Sequence, residues 1–135
     1  MMNPLWTVAV ALVIAAGAGC ASSSGGDCCA GNSRGVVRHV VLFKFKDTAT
    51  PEQIRAIETK FGALKSQIPA ILDLEFGTNM SPENRAEGFT HCFFLTFRDA
   101  AARDSYLPHP AHKEFGAQLR PHLDKVLVID YVSRD

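Results

Sequence analysis

Five histidines, at positions 39, 91, 109, 112 and 122, are the side chains of this sequence able to take up and release protons near neutral pH. Two of them stand beside a tyrosine in Tyr106-Leu107-Pro108-His109-Pro110-Ala111-His112. The two prolines place Tyr106 at the end of one helix and His112 in the first turn of the next. A helix N-terminus disfavours a positive imidazolium, so His112 is expected to be neutral near pH 7 and able to accept a proton. Imidazoles and a phenol in an aromatic-lined pocket can perform proton transfer, with His as base and Tyr as donor or stabiliser of a developing oxyanion. The same groups can equally orient the polar end of a bound apolar ligand without chemistry, or serve as hydrogen-bonded core side chains. His109 and His112, three apart, could suit a metal on one helical face. No carboxylate completes that set, and no metal site is assigned. His122, next to Pro121, reads as a surface residue.

The elements that must position these groups follow from periodicity. Val36–Lys46 (VVRHVVLFKFK) is β-branched and aromatic, a strand signal. Its odd positions, Val37, His39, Val41, Phe43 and Phe45, form one apolar face holding a single imidazole. Thr50-Pro51-Glu52-Gln53 is a helix start, with Thr as N-cap, Pro at the first helical position and Gln completing a capping box. Ile54, Ile57, Phe61, Leu64 and Ile68 then make one helical stripe that ends at Pro69. Ile71–Phe76 alternates as a second strand, and Gly77–Gly88 is a polar loop. Phe89–Phe97 (FTHCFFLTF) is a third strand whose odd face again carries an imidazole, His91, among Phe89, Phe93, Leu95 and Phe97. Asp99 caps a short Ala-rich helix to Leu107, Pro110 opens another towards Leu119, and Val126–Val132 is the last strand. The order βαββαβ predicts an α+β ferredoxin-like domain over residues 36–133, with a four-stranded antiparallel sheet and helices on one face. His39 and His91 should both point at the helices. Val40, Leu42, Phe94, Val126 and Val128 are expected on the other face, where an apolar surface implies a partner, most simply a second copy packed face to face.

Composition bounds the function. The 135 residues carry 14 Lys+Arg against 14 Asp+Glu, and none of these falls before Asp27. This balance lacks the basic excess of a general nucleic-acid binder. Leu5–Gly19 is apolar and ends in small residues, as the core of an export signal does. Gly17-Ala18-Gly19-Cys20 followed by Ala-Ser-Ser-Ser-Gly-Gly reads as a lipoprotein-type signal (1–19), a lipid-modified Cys20 and a Gly/Ser-rich linker (20–35). Gly17 departs from the larger residue usual three places before the cysteine. Cleavage after Ala16-Gly17-Ala18, or an uncleaved anchor, are the competing readings. All three export the domain: the favoured one holds it at the cell envelope with the lipid anchor as its sole membrane contact, and ordinary cleavage would instead release a soluble secreted or periplasmic protein. Adjacent Cys28 and Cys29 would close a disulfide only with strain, and Cys92 reads as a small buried hydrophobe.

Three motifs together, Arg38–Asp47 (RHVVLFKFKD), Glu87–His91 (EGFTH) and Tyr106–His112 (YLPHPAH), resemble the stress-responsive dimeric α/β-barrel (Dabb) family across essentially Val36–Val132. The resemblance implies ferredoxin-like domains paired through their sheets as a homodimeric barrel. It also implies a small-molecule ligand and acid/base chemistry of cyclase, isomerase or lyase type without a cofactor. By resemblance His112 would be the general base and Tyr106 its partner at a substrate carbonyl or thioester. His39 and His91 would line the same pocket, with Ile57, Phe61, Phe93 and Leu123 as apolar walls. Glu58 and Leu123 stand where a polyketide-cyclising member carries bulky aromatics, so the pocket should differ in size and polarity. The alternative is a non-catalytic ligand-binding or structural homodimer.

Overall fold

A computed structural model describes residues 35–134; the expected signal, Cys20, Cys28, Cys29 and nearly all of the linker lie outside the described residues. The chain forms β1 (Val37–Phe45), α1 (Pro51–Gln67), β2 (Ile71–Thr78), β3 (His91–Phe97), α2 (Ala100–Tyr106), α3 (Pro110–Leu119) and β4 (Leu123–Val132). The strands pair antiparallel in the order β2-β3-β1-β4. This is the ferredoxin-like arrangement with β1 and β3 at the centre.

Local chemistry sets the boundaries. Thr50 Oγ1 accepts from Gln53 N at 3.3 Å, and Gln53 Oε1 accepts from Thr50 N at 2.9 Å, the reciprocal capping box that opens α1. Ile68 closes α1 through its N–H to Leu64 O. β2 runs two residues past Phe76 because Thr78 still pairs with His91 across the hairpin. β4 starts at Leu123, three residues before the expected Val126, because Leu123 pairs with Phe45 across a bulge between Lys44 and Phe45.

The helix-facing side of the sheet holds the core. Val37, Val41, Phe43 and Phe45 of β1 and Phe93, Leu95 and Phe97 of β3 are buried against Ile57, Phe61 and Leu64 of α1 and Phe115 and Leu119 of α3. Phe61 stacks on Phe93 with ring centroids 4.1 Å apart, and Phe43 lies 5.0 Å from Phe93 and 5.9 Å from Phe61. Such aromatic pairs contribute about 0.5–1.5 kcal/mol each beyond burial, so this cluster fixes α1 over the sheet.

The opposite face is corrected at one strand. Val40 and Leu42 lie there as expected, with Cys92 and Phe94 opposite them on β3. Val126 and Val128 do not: they pair with Phe43 and Val41, so they share the helix side with those residues. Their β4 neighbours Leu127 and Ile129, partners of Leu42 and Val40, occupy the open face together with Tyr131. Both faces of β4 are exposed, with Val128 and Ile129 each 49% accessible, because β4 is an edge strand that the helices cover only in part.

Candidate functional site

The turn between α2 and α3 is built around prolines and histidines. Tyr106 ends α2, and His109 N–H bonds back to Tyr106 O at 3.1 Å. His109 is the N-cap of α3: its Nδ1 accepts from Ala111 N at 3.2 Å, and Pro110 follows at the first helical position, where its missing N–H costs nothing. His109 therefore caps a helix through Nδ1. Among the described residues no three His, Cys, Asp or Glu side chains gather as a metal set. His112 sits in the first turn of α3 with Nδ1 3.0 Å from Leu107 O. A carbonyl only accepts, so Nδ1 carries the proton and the lone pair of the neutral ring is at Nε2. The Tyr106 and His112 rings lie 4.3 Å apart.

Both side chains line a cavity of about 280 Å³ between the helices and the sheet. Its walls are His39, Val41 and Phe43 of β1, Phe61 of α1, Phe115 and Leu119 of α3, and Leu123, Val126, Val128 and Asp130 of β4. The Tyr106 ring is 1% exposed, and its hydroxyl holds no hydrogen bond to a protein group among the described residues. Burial pushes its pKa well above the usual phenol range, which keeps it a neutral donor. His39, 4% exposed, has its ring centroid 5.7 Å from that of Tyr106. Its Nδ1 lies 2.6 Å from Asp130 Oδ1, and the second oxygen of Asp130 takes the Arg103 guanidinium. The carboxylate is an acceptor, so His39 too carries a proton on Nδ1, and in the neutral ring the lone pair is on Nε2. The polar end of the cavity thus combines one phenol donor with two imidazole acceptors.

Of the side chains singled out from sequence, the cavity brings together His39, Phe61, Tyr106, His112 and Leu123. His91, Ile57 and Phe93 lie outside it. His91 shares the helix-facing parity of His39, but it pairs with Phe43, whereas His39 pairs with Leu95 nearer the other end of the strands. Phe43 and Phe93 fill the space between. His91 instead stands 3.5 Å from Glu58 through Nε2 and 2.8 Å from Thr90 Oγ1 through Nδ1. Burial pulls its pKa below the usual imidazole range, against the opposing pull of Glu58. Ile57 and Phe93 are core side chains beneath α1. Asp130 and Arg103 were not singled out from sequence. Asp130 had a signal: it is the one charge within the apolar run Val126–Val132, and a carboxylate there requires a partner. Arg103, on an exposed-looking Ala-rich helix, had none.

Fold and site together define a ferredoxin-like α+β domain whose cavity closes on a Tyr/His junction. The chain belongs to the Stress responsive A/B Barrel Domain (Dabb) family, whose model matches residues 37–133. It is 40% identical over 99 residues to the stress-response A/B barrel domain-containing protein HS1 of Arabidopsis thaliana, covering 73% of this chain and 91% of that protein. It is 35% identical over 98 residues to olivetolic acid cyclase of Cannabis sativa, covering 73% of this chain and 97% of the cyclase. Among solved structures, hydroxynitrile lyase from Passiflora edulis superimposes with a TM-score of 0.70 at 30% identity, over 74% of this chain and 94% of the lyase. A dimeric ferredoxin-like protein of unknown function from Bacteroides fragilis superimposes with a TM-score of 0.61 at 28% identity, over 74% of this chain and 98% of that one.

Proposed function

We propose that this chain is a homodimeric, cell-envelope small-molecule-binding protein whose cavity performs acid/base chemistry on a carbonyl compound without a cofactor, of cyclase, isomerase or lyase type. The observation that carries this reading is the convergence of the Tyr106 hydroxyl, His112 and His39 on one cavity, with both imidazoles held by their Nδ1 protons. In the proposed step the Tyr106 O–H donates to the carbonyl oxygen. His112 Nε2 removes a proton from the adjacent carbon, and the resulting enolate is held by the phenol until the proton returns or a new bond forms. Two of the relatives, the cyclase and the lyase, are named for reactions compatible with such proton transfers. The dimer is supported by the open face of Val40, Leu42, Phe94, Leu127 and Ile129 and by dimeric structural neighbours. The envelope location is supported by the apolar Leu5–Gly19 run and the Cys20-Ser/Gly pattern. Loss of lipid labelling in Cys20→Ser tests it; unchanged labelling and fractionation would count against the anchor.

The decisive experiment is α-carbon hydrogen–deuterium exchange of simple ketones in D₂O, followed by proton NMR. The protein should accelerate exchange, and His112→Gln and Tyr106→Phe should each lose about 10²–10⁴-fold. Exchange no faster than with free imidazole at equal concentration would remove the catalytic reading and leave ligand binding.

A further inference from the structure

Helix α3 presents His112, Phe115, Gly116 and Leu119 to the cavity, one stripe at helical spacing, and Gly116 is the member without a side chain. Glycine inside a helix is less favourable than alanine because it forfeits more backbone entropy on folding. The same helix carries alanine at the exposed Ala117. Two structural reasons for accepting a glycine are missing at Gly116. Its backbone is not left-handed, unlike that of Gly35 and Gly88, so an L side chain would suit its dihedrals. Nor does a neighbouring element press against it: a Cβ placed there meets none within 4 Å among the described residues. A Cβ on Gly62 of α1, by contrast, would stand 3.3 Å from the Phe76 ring, so packing accounts for that glycine.

The space at Gly116 is open, and it belongs to the cavity of about 280 Å³. Cα–Cβ bonds in a helix lean towards its N-terminus, so a side chain covers the turn before its own. For Gly116 that turn carries His112, four positions earlier on the same face. The missing side chain therefore bares the wall beside the His112 ring. The Gly116 carbonyl is taken by Arg120 N at 3.1 Å, so what the bare wall offers a ligand is room. Resting on the ligand-cavity reading above, we infer that Gly116 is a specificity-determining residue: its bare backbone seats the apolar flank of the ligand next to His112 and admits compounds that a methyl group there would exclude. Helix stability is given up at this position for space, so Gly116→Ala should move stability and ligand handling in opposite directions.

Acetone and cyclohexanone serve as narrow and wide probes, each followed by α-carbon deuterium exchange with the full-length protein. Gly116→Ala should raise Tm by about 2–8 °C. It should slow cyclohexanone exchange at least about tenfold while acetone stays within about threefold of wild type, since one added carbon in an apolar pocket discriminates by roughly 10–200-fold. Ala117→Gly, on the exposed side of the same helix, should lower Tm by a similar amount and leave both rates unchanged. Unchanged cyclohexanone exchange in Gly116→Ala, an equal loss for both ketones, or a lowered Tm overturns the inference. If the wild-type protein exchanges neither ketone, the catalytic reading falls by itself and binding decides. Cyclohexanone must then shift the Gly116 amide signal in an NMR titration and bind at least about tenfold more weakly to Gly116→Ala; no shift at Gly116 overturns the assignment.

Discussion

Replacing Asp130 by Asn changes one atom, and its consequence can be worked through residue by residue. In the native protein the carboxylate accepts the His39 Nδ1 proton at 2.6 Å and the Arg103 guanidinium through its other oxygen. A hydrogen bond to an ionised acceptor contributes about 1.5–3 kcal/mol. The Arg103 pair, with side chains 22% and 30% exposed, adds only about 0–1 kcal/mol after solvent screening. Asn keeps the shape and one acceptor, so about 1–2 kcal/mol should be lost, a fall in Tm of roughly 4–16 °C for a domain of this size. The sharper effect is on the proton. Arg103 can only donate, so it draws the amide oxygen and leaves the amide NH₂ facing His39 Nδ1. His39 must then accept at Nδ1 and carry its proton on Nε2, which removes a lone pair from the cavity. Long-range ¹H–¹⁵N correlation of the histidine rings reads this tautomer directly. Adding Arg103→Met should let the amide oxygen turn back and restore the Nδ1 proton. If Asp130→Asn keeps the native His39 tautomer with Tm changed by less than about 2 °C, the Arg103–Asp130–His39 chain has been misjudged.

Other perturbations give separate checks. Tyr106→Phe removes a hydroxyl without a protein partner, so thermal stability should change by less than about 1 kcal/mol while ligand titrations lose their donor. Because burial raises the Tyr106 pKa, its contribution is intact below the ordinary phenol pKa near 10 and declines as pH rises beyond it. Folded wild type and Tyr106→Phe should therefore show the same tyrosinate absorbance up to about pH 11; an extra ionisation in the wild type would contradict the burial. His91 has its pKa lowered by burial, so the stability it confers is present above about pH 6.5 and falls as pH drops through the depressed value. Denaturant titrations should show a shallower acid loss in His91→Gln, and an identical pH profile would argue against that assignment. Charged substitution at Leu42 or Ile129 should give monomer or aggregate in light scattering, whereas an unaltered dimer would place the interface elsewhere. Phe61→Ala should cost about 3–5 kcal/mol in chemical unfolding, since it empties the centre of the aromatic cluster.

Strand parity made half of the architecture legible. The faces of β1 and β3 could be read because the odd positions are apolar apart from His39 and His91 while Arg38, Lys44 and Thr96 fall at the even ones, which put His39 and His91 on the helix side. Parity says nothing about position along a strand, and His91 consequently lies on the far side of Phe43 and Phe93 from the cavity. β4 resisted the same reading. Val126-Leu127-Val128-Ile129 is apolar at both parities, so only its hydrogen-bond register with β1 decides which residues face the helices. The Tyr106–His112 junction was legible because its prolines mark helix ends chemically. The Arg103–Asp130 link was not, because it joins residues 27 positions apart and depends on where α2 settles over the edge strand.

The construction of the cavity also bears on how such a protein changes over time. Tyr106, His109 and His112 hang on one short proline-bounded turn that supplies its own hydrogen bonds, from Leu107 O and from Ala111 N. The walls come from elsewhere: Phe61 on α1, and Leu123, Val126 and Val128 on β4, an edge strand among the described residues. Reactive machinery and recognition surface are thereby inherited on separable stretches of chain. Drift along β4 can enlarge, narrow or reshape the chamber while the proton-handling turn is left alone. In laboratory evolution, libraries at Leu123, Val126 and Val128 are the economical route to new ligands, and the turn is the stretch to hold constant.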